Sequence, residues 1–208
     1  MIELLRENFP RPNHYLVKQK DTEEINRFMG KYLLQPFQKG RKHNLWGRAA
    51  KDLPGIGRKI GWVTNTMVAT FLNETVELEI ADACAAKNNL IQPTSEHLFI
   101  ARTLLQRFEM NHLAQQNPFH LSEGEAKLLW LFTQWVKSPE FLIIGYLPSN
   151  LSKQRITQVV EFLLNKKEGT EVSPTCVLGF QKDTSQWCAP LLKNREWVKQ
   201  VAWPQKNS

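Results

Sequence analysis

Cysteine is scarce in this 208-residue chain. Its three cysteines, Cys84, Cys176 and Cys188, are odd in number and form no CxxC pair. That excludes a disulfide framework and a cysteine-based zinc site, and it points to a reducing compartment. The five histidines lack zinc spacing, so no metal and no resident cofactor are expected. Long hydrophobic runs are also missing. None approaches the roughly 18 apolar residues of a membrane span, and the longest candidates, residues 128–135 and 141–144, are separated by Lys137, Ser138 and Pro139. The opening MIELLRENFPRPNHY carries early acids and no apolar core, so no secretory signal is expected there. No run of five like charges, no internal repeat and no low-complexity tract occurs.

What is present is the make-up of one well-cored domain. Hydrophobic residues make 42 % and charged residues 23 % of the chain, which excludes a disordered or collagen-like polymer. Lysine plus arginine number 27 against 20 acids, a formal charge of +7 that favours anionic partners such as nucleic acid, phospholipid headgroups or an acidic protein face.

Short apolar or β-branched runs stand at residues 15–17, 60–63, 141–144 and 175–180, each mostly unalternated, as in strands buried on both sheet faces. Helical stripes lie between them: Leu98, Ala101, Leu105, Phe108; then Leu128, Leu131, Phe132, Trp135; then Ile156, Val159, Val160, Leu163. Ser122 with Glu125 predicts a capping box opening the second stripe, and Ser152 a start for the third. Strand and helix signals alternate, which predicts an α/β domain with a mostly parallel sheet. Residues 36–57 read as connection. The end of the chain, residues 194–208, reads as a polar tail carrying Trp197 and Trp203. Trp62, Trp130 and Trp135 are expected in the core.

One ordered set of motifs carries more. His120-Leu-Ser-Glu-Gly-Glu-Ala126 precedes a helix, and Ser138-Pro-Glu-Phe-Leu-Ile-Ile-Gly-Tyr-Leu-Pro-Ser-Asn-Leu-Ser152 follows it. Upstream stand Leu33-Leu-Gln-Pro36, Arg58-Lys-Ile-Gly-Trp-Val-Thr-Asn65 and Phe71-Leu-Asn-Glu-Thr-Val-Glu-Leu-Glu-Ile80; downstream stands Thr175-Cys-Val-Leu-Gly-Phe-Gln-Lys182. In this order and spacing, over about residues 15 to 200, the chain resembles the ATP-binding cassette (ABC) ATPases, particularly importer-type cassettes of the energy-coupling-factor and cobalt group. Ser122, Gly124 and Glu125 match the family's signature, residues 141–144 its Walker B strand and residues 149–152 its D-loop. The resemblance implies a P-loop NTPase-like fold with a helical subdomain over about residues 66–136 and a reduced N-terminal antiparallel β-portion, all within a single domain, residues 1–208.

The same resemblance locates departures. A phosphate-binding loop needs G-x-x-x-x-G-K-[ST], with glycines that expose backbone amides, a lysine on the β/γ oxygens and a hydroxyl on Mg²⁺. The chain contains no such pattern. At the matching place stands Lys18-Gln-Lys-Asp-Thr-Glu-Glu-Ile-Asn26, with Glu24 near the lysine position. The Walker B aspartate position is Gly145, the position of the glutamate that polarises water is Tyr146, the Q-loop glutamine position is Asn65, and the switch-histidine position is Gln181. Phosphoryl transfer depends on positioning and on metal and cation electrostatics, so a chain lacking all of these is expected to be no ATPase.

The expectation is therefore a catalytically inactive, cassette-like subunit working beside an active ABC ATPase, a membrane permease or both. A hetero-oligomer is favoured over a homodimer, in the cytoplasm or at the inner face of the membrane. In cassette dimers the signature serves the partner's nucleotide, so Ser122 could act in trans, while Glu123 and Glu125 add negative charge there and the bland role is to cap a helix. Two other readings stand beside this one: a nucleic-acid-associated adaptor on the same fold, and an enzyme with an unfamiliar nucleotide site.

Overall fold

The computed structural model describes residues 14–18, 59–63, 71–144, 151–164, 175–180 and 198–202. Five strands, β1 (His14–Lys18), β2 (Ile60–Val63), β3 (Phe141–Ile144), β4 (Thr175–Phe180) and β5 (Val198–Ala202), form one sheet in the order β2-β3-β4-β1-β5. Every pairing is parallel: Ile60 lies opposite Phe141, Phe141 opposite Thr175, Tyr15 opposite Val177 and His14 opposite Val198. Parallel strands need both faces covered. In β3 this is literal, since all four residues are fully buried.

The four strands expected from apolar runs appear at those places. The fifth, β5, does not come from such a run. It lies inside residues 194–208, the stretch expected as a polar tail, where Val198-Lys-Gln-Val-Ala202 pairs along its whole length with β1. Two valines three positions apart carry no strand signal of their own; the neighbouring strand supplies the pairing.

Among the described residues the helices are α1 (Val76–Lys87), α2 (Ser95–Arg107), α3 (Glu123–Val136) and α4 (Lys153–Leu164), with two 3₁₀ turns, Asn111–Leu113 and Pro118–His120, between α2 and α3. Each start has a chemical reason. Thr75 Oγ1 accepts the Leu78 amide (3.2 Å) at the head of α1, Ser152 Oγ accepts that of Arg155 (3.2 Å) at the head of α4, and His97 Nδ1 accepts the Thr94 amide (3.0 Å) at the head of α2.

Helices α1 and α2 close with Schellman hydrogen bonds on a residue in the left-handed region, and no glycine is used. Asn89 (φ 58°) follows α1 and Glu109 (φ 54°) follows α2, with Leu90 N donating to Ala85 O (3.2 Å) and Met110 N to Leu105 O (2.8 Å). Ser138 (φ 50°) ends α3 in the same backbone region.

The stripes read from the sequence face inward. Ala101, Leu105 and Phe108 of the first, all four residues of the second, and all four of the third are buried, while Leu98 is half-buried. They meet in an aromatic cluster: Phe108 and Phe132 ring centroids lie 4.7 Å apart, Phe108 and Phe162 5.1 Å, and Trp135 and Phe162 4.2 Å. Such pairs contribute roughly 0.5–1.5 kcal/mol each beyond simple burial. Of the tryptophans expected in the core, Trp135 is buried, whereas Trp62 and Trp130 are half-buried and joined by the Trp130 indole N–H donating to the Trp62 carbonyl at 2.7 Å. No helix among the described residues is long and apolar enough to cross a membrane.

Candidate functional site

Two places can carry chemistry: the carboxyl edge of the sheet and the head of α3. In a parallel α/β sheet, ligands bind outside the carboxyl ends of the strands, where successive connections leave in opposite directions. Here β1 connects across the sheet to β2 at one edge, while β4 passes β1 to reach β5 at the other. The switch point therefore falls at β1 and β4. Register brings the strand ends to within two residues of one another: Val63 pairs with Ile144, Ile144 with Leu178, and Lys18 with Phe180. In the chain, Gly145 and Tyr146 follow Ile144, Gln181 follows Phe180, Asn65 stands two residues past Val63, and Glu24 six past Lys18. These five positions lie outside the described residues.

The head of α3 is fully described. Ser122 is the N-cap with extended backbone (φ −61°, ψ 158°), and the capping box is complete in both directions. Glu125 Oε2 accepts from the Ser122 amide (2.9 Å) and from the Ser122 hydroxyl (2.5 Å), and the Glu125 amide donates to Ser122 Oγ (3.4 Å). Gly124 is buried in the first turn, Ser122 is exposed and Glu125 is half-buried. The Ser122 hydroxyl holds the Glu125 carboxyl below the usual carboxylate range. Partial burial opposes this, while the Ser122 amide, His112 and Arg155 reinforce it. Exposed Glu123 pairs with Lys127 one turn along, which lowers its carboxyl in the same sense. The α3 N-terminus thus carries two ionised carboxylates in its first turn, a favourable arrangement with the helix dipole and an unfavourable one for an additional anion.

The sequence reading missed a polar network at the head of α1. Glu77 is 4 % exposed yet carries a carboxylate. Arg102 Nε donates to its Oε1 (2.9 Å) and Gln115 Nε2 to its Oε2 (3.1 Å). The loop supplying Gln115 also satisfies the orphan amides of α1: Val76 N donates to Gln116 O and Glu77 N to Ala114 O, each at 3.0 Å. Glu77 in turn raises the already high pKa of the Arg102 guanidinium, through the hydrogen bond first and charge second. A carboxylate so buried and so fully paired fixes α1, α2 and the loop leading to Ser122 as one unit. Arg155, at the start of α4, donates to the Phe108 carbonyl and ties the end of α2 to the helix that follows β3.

No family model matches the chain, and no curated protein matches it in sequence. Solved structures do match in shape. One is the ATP-binding subunit of an ABC transporter, with TM-score 0.58 and 18 % identity, the match covering 90 % of this chain and 72 % of the other. Another is CbiO1 of Clostridium perfringens, part of the ABC transporter complex CbiONQ, with TM-score 0.53 and 15 % identity, covering 81 % of this chain and 66 % of the other. At these identities the likeness establishes the fold, which is that of an ABC-ATPase-like P-loop NTPase domain.

Proposed function

We propose that this chain is a catalytically inactive ABC-type pseudo-ATPase, serving as a non-catalytic or regulatory subunit beside an active ABC ATPase, a membrane permease or both. One observation carries the reading. The sheet has the ABC-ATPase-like architecture, yet the residues that follow its strands are Glu24, Asn65, Gly145, Tyr146 and Gln181, and no G-x-x-x-x-G-K-[ST] occurs in the sequence. Of these five, only Glu24 has a charge, and it is of the sign that repels a triphosphate. Neither Gly145 nor Tyr146 offers a carboxylate to a metal ion, and Gln181 has no titratable base. A fold alone supplies no phosphoryl transfer.

A subunit role supports retention of a capped helix at the signature position. The order Ser122-Glu-Gly124-Glu125 keeps the N-cap hydroxyl, and the helix start can serve a partner's nucleotide in trans even where the chain's own site is spent. CbiO1 is part of a transporter complex, and the same kind of assembly suits this chain, peripheral to the inner face of a membrane.

The test is affinity isolation of the chain at native abundance followed by mass spectrometry. Recovery of an intact cassette ATPase or a permease in stoichiometric amount supports the subunit reading; recovery of nucleic-acid machinery, or of the chain alone, contradicts it. With the partner in hand, Ser122→Arg separates the two roles of α3: loss of ATPase stimulation assigns the signature a trans contact, and unchanged stimulation leaves Ser122 as a cap.

A further inference from the structure

Glu79 is the fourth residue of α1, and its carboxylate turns back over the segment that precedes the helix. One oxygen, Oε2, accepts three hydrogen bonds: from the Leu72 amide (3.0 Å), the Asn73 amide (2.9 Å) and the Asn73 side-chain amide (3.0 Å). Helix capping does not require them, because Thr75 already caps α1. The donors lie in residues 71–75, which lead from the β2 side of the chain into α1. Phe71 is 7 % exposed and packs edge-on against Phe119 (6.0 Å), whereas its neighbour Leu72 is 82 % exposed. An exposed leucine on a backbone held by a carboxylate is presented in one position rather than left to wander.

The far end of the same helix is fastened too. Lys87 Nζ donates to Ser138 Oγ (3.2 Å) in the turn between α3 and β3. Beside it, Lys137 is half-buried with the carboxylates of Glu79 and Asp82 acting on it; burial lowers its pKa and the two acids work in the other direction. So α1 is tied at its head to the chain coming from β2 and at its tail to the turn entering β3, and those two strands are neighbours in the sheet.

We propose that Glu79 is a conformational latch: engaged, it fixes residues 72 and 73 and presents Leu72; released, it frees that segment while α1 stays folded on its own cap. Because the three bonds converge on one oxygen, they are lost together, which makes release a single event. The latch requires no nucleotide and works from the helical layer alone.

Amide hydrogen exchange on the full chain tests it. Hydrogen bonds to a charged acceptor are strong enough that Glu79→Ala raises exchange at the Leu72 and Asn73 amides about 10- to 100-fold, with core amides such as those of Leu105 and Phe132 unchanged. Glu79→Gln, which keeps an acceptor oxygen without the charge, gives a smaller rise at the same two amides and serves if the alanine variant fails to fold. Wild-type exchange at 72 and 73 in the Glu79 variants overturns the latch. So does a rise that occurs only in step with Leu105 and Phe132, since that marks a general loss of stability.

Discussion

Removing the exposed partner of the Glu77–Arg102 pair should cost more than removing the buried one. The Arg102 side chain is 64 % exposed and that of Glu77 only 5 %. In Arg102→Met the carboxylate stays in its dry pocket with Gln115 as its remaining side-chain donor at 3.1 Å. An exposed ion pair is worth roughly 0.2–1 kcal/mol, whereas a hydrogen bond to a charged group is worth roughly 1.5–3 kcal/mol. With one end buried and one in water, Arg102→Met is expected to be the more destabilising of the two single changes. Glu77→Leu fills the pocket with an apolar side chain of similar size and lets Arg102 turn to solvent, so about 1 kcal/mol is expected, mostly from Gln115. The double variant should cost less than the sum, with a coupling of about 1 kcal/mol or more. Urea unfolding followed by tryptophan fluorescence reads these as midpoint shifts at constant slope. A Glu77→Leu cost equal to or above that of Arg102→Met, or a coupling near zero, refutes the reasoning.

Four further expectations follow from local geometry. A Cβ at Gly61 would meet Leu142 Cδ1 at 3.0 Å and Gln134 Cβ and Pro139 Cγ at 3.2 Å, so Gly61→Ala should lose about 1–3 kcal/mol in the same unfolding assay. Glu109 is exposed at φ 54°, a conformation glycine adopts without strain, and Glu109→Gly should gain about 0.5–1 kcal/mol, or about 2 °C in melting temperature. The Glu125 carboxyl has a folded-state value below its ordinary 4.5, so its contribution is present above the ordinary carboxylate range and fades as pH falls through the lowered value. Ser122→Ala should cost about 1 kcal/mol at neutral pH, and Glu125→Gln should flatten the acid limb of the stability profile; an acid limb identical to wild type contradicts this.

The parts of the fold legible in the sequence are those where burial is uniform or a cap is spelled out. Phe141-Leu-Ile-Ile144 is buried on both faces, so its composition alone marks a strand, and Ser122 with Glu125 spells the start of α3. By contrast α1 was not legible as a helix from periodicity. Its inward side joins Val76 and Ile80 to Ala81, Ala83, Cys84, Ala85 and the charged Glu77, so small residues and a buried acid blur the apolar stripe. Strand β5 was hidden for a different reason: Val198–Ala202 is held by pairing with β1 and not by its own side-chain pattern. Pairing partners 184 residues apart, such as His14 and Val198, leave no local trace. The candidate site divides in the same way. The capping geometry at Ser122 and Glu125 was readable, whereas the Glu77 network and the Glu79 contacts depend on which loop reaches α1, a fact of tertiary structure.

The most direct test of the pseudo-ATPase reading is steady-state phosphate release by the purified chain at saturating ATP and Mg²⁺, followed across the chromatographic peak of the protein. No release above the buffer rate is predicted, at any chain concentration. Saturable release that tracks the protein peak and disappears when the chain is unfolded would contradict it and would place a working nucleotide site in this fold without a conventional phosphate loop.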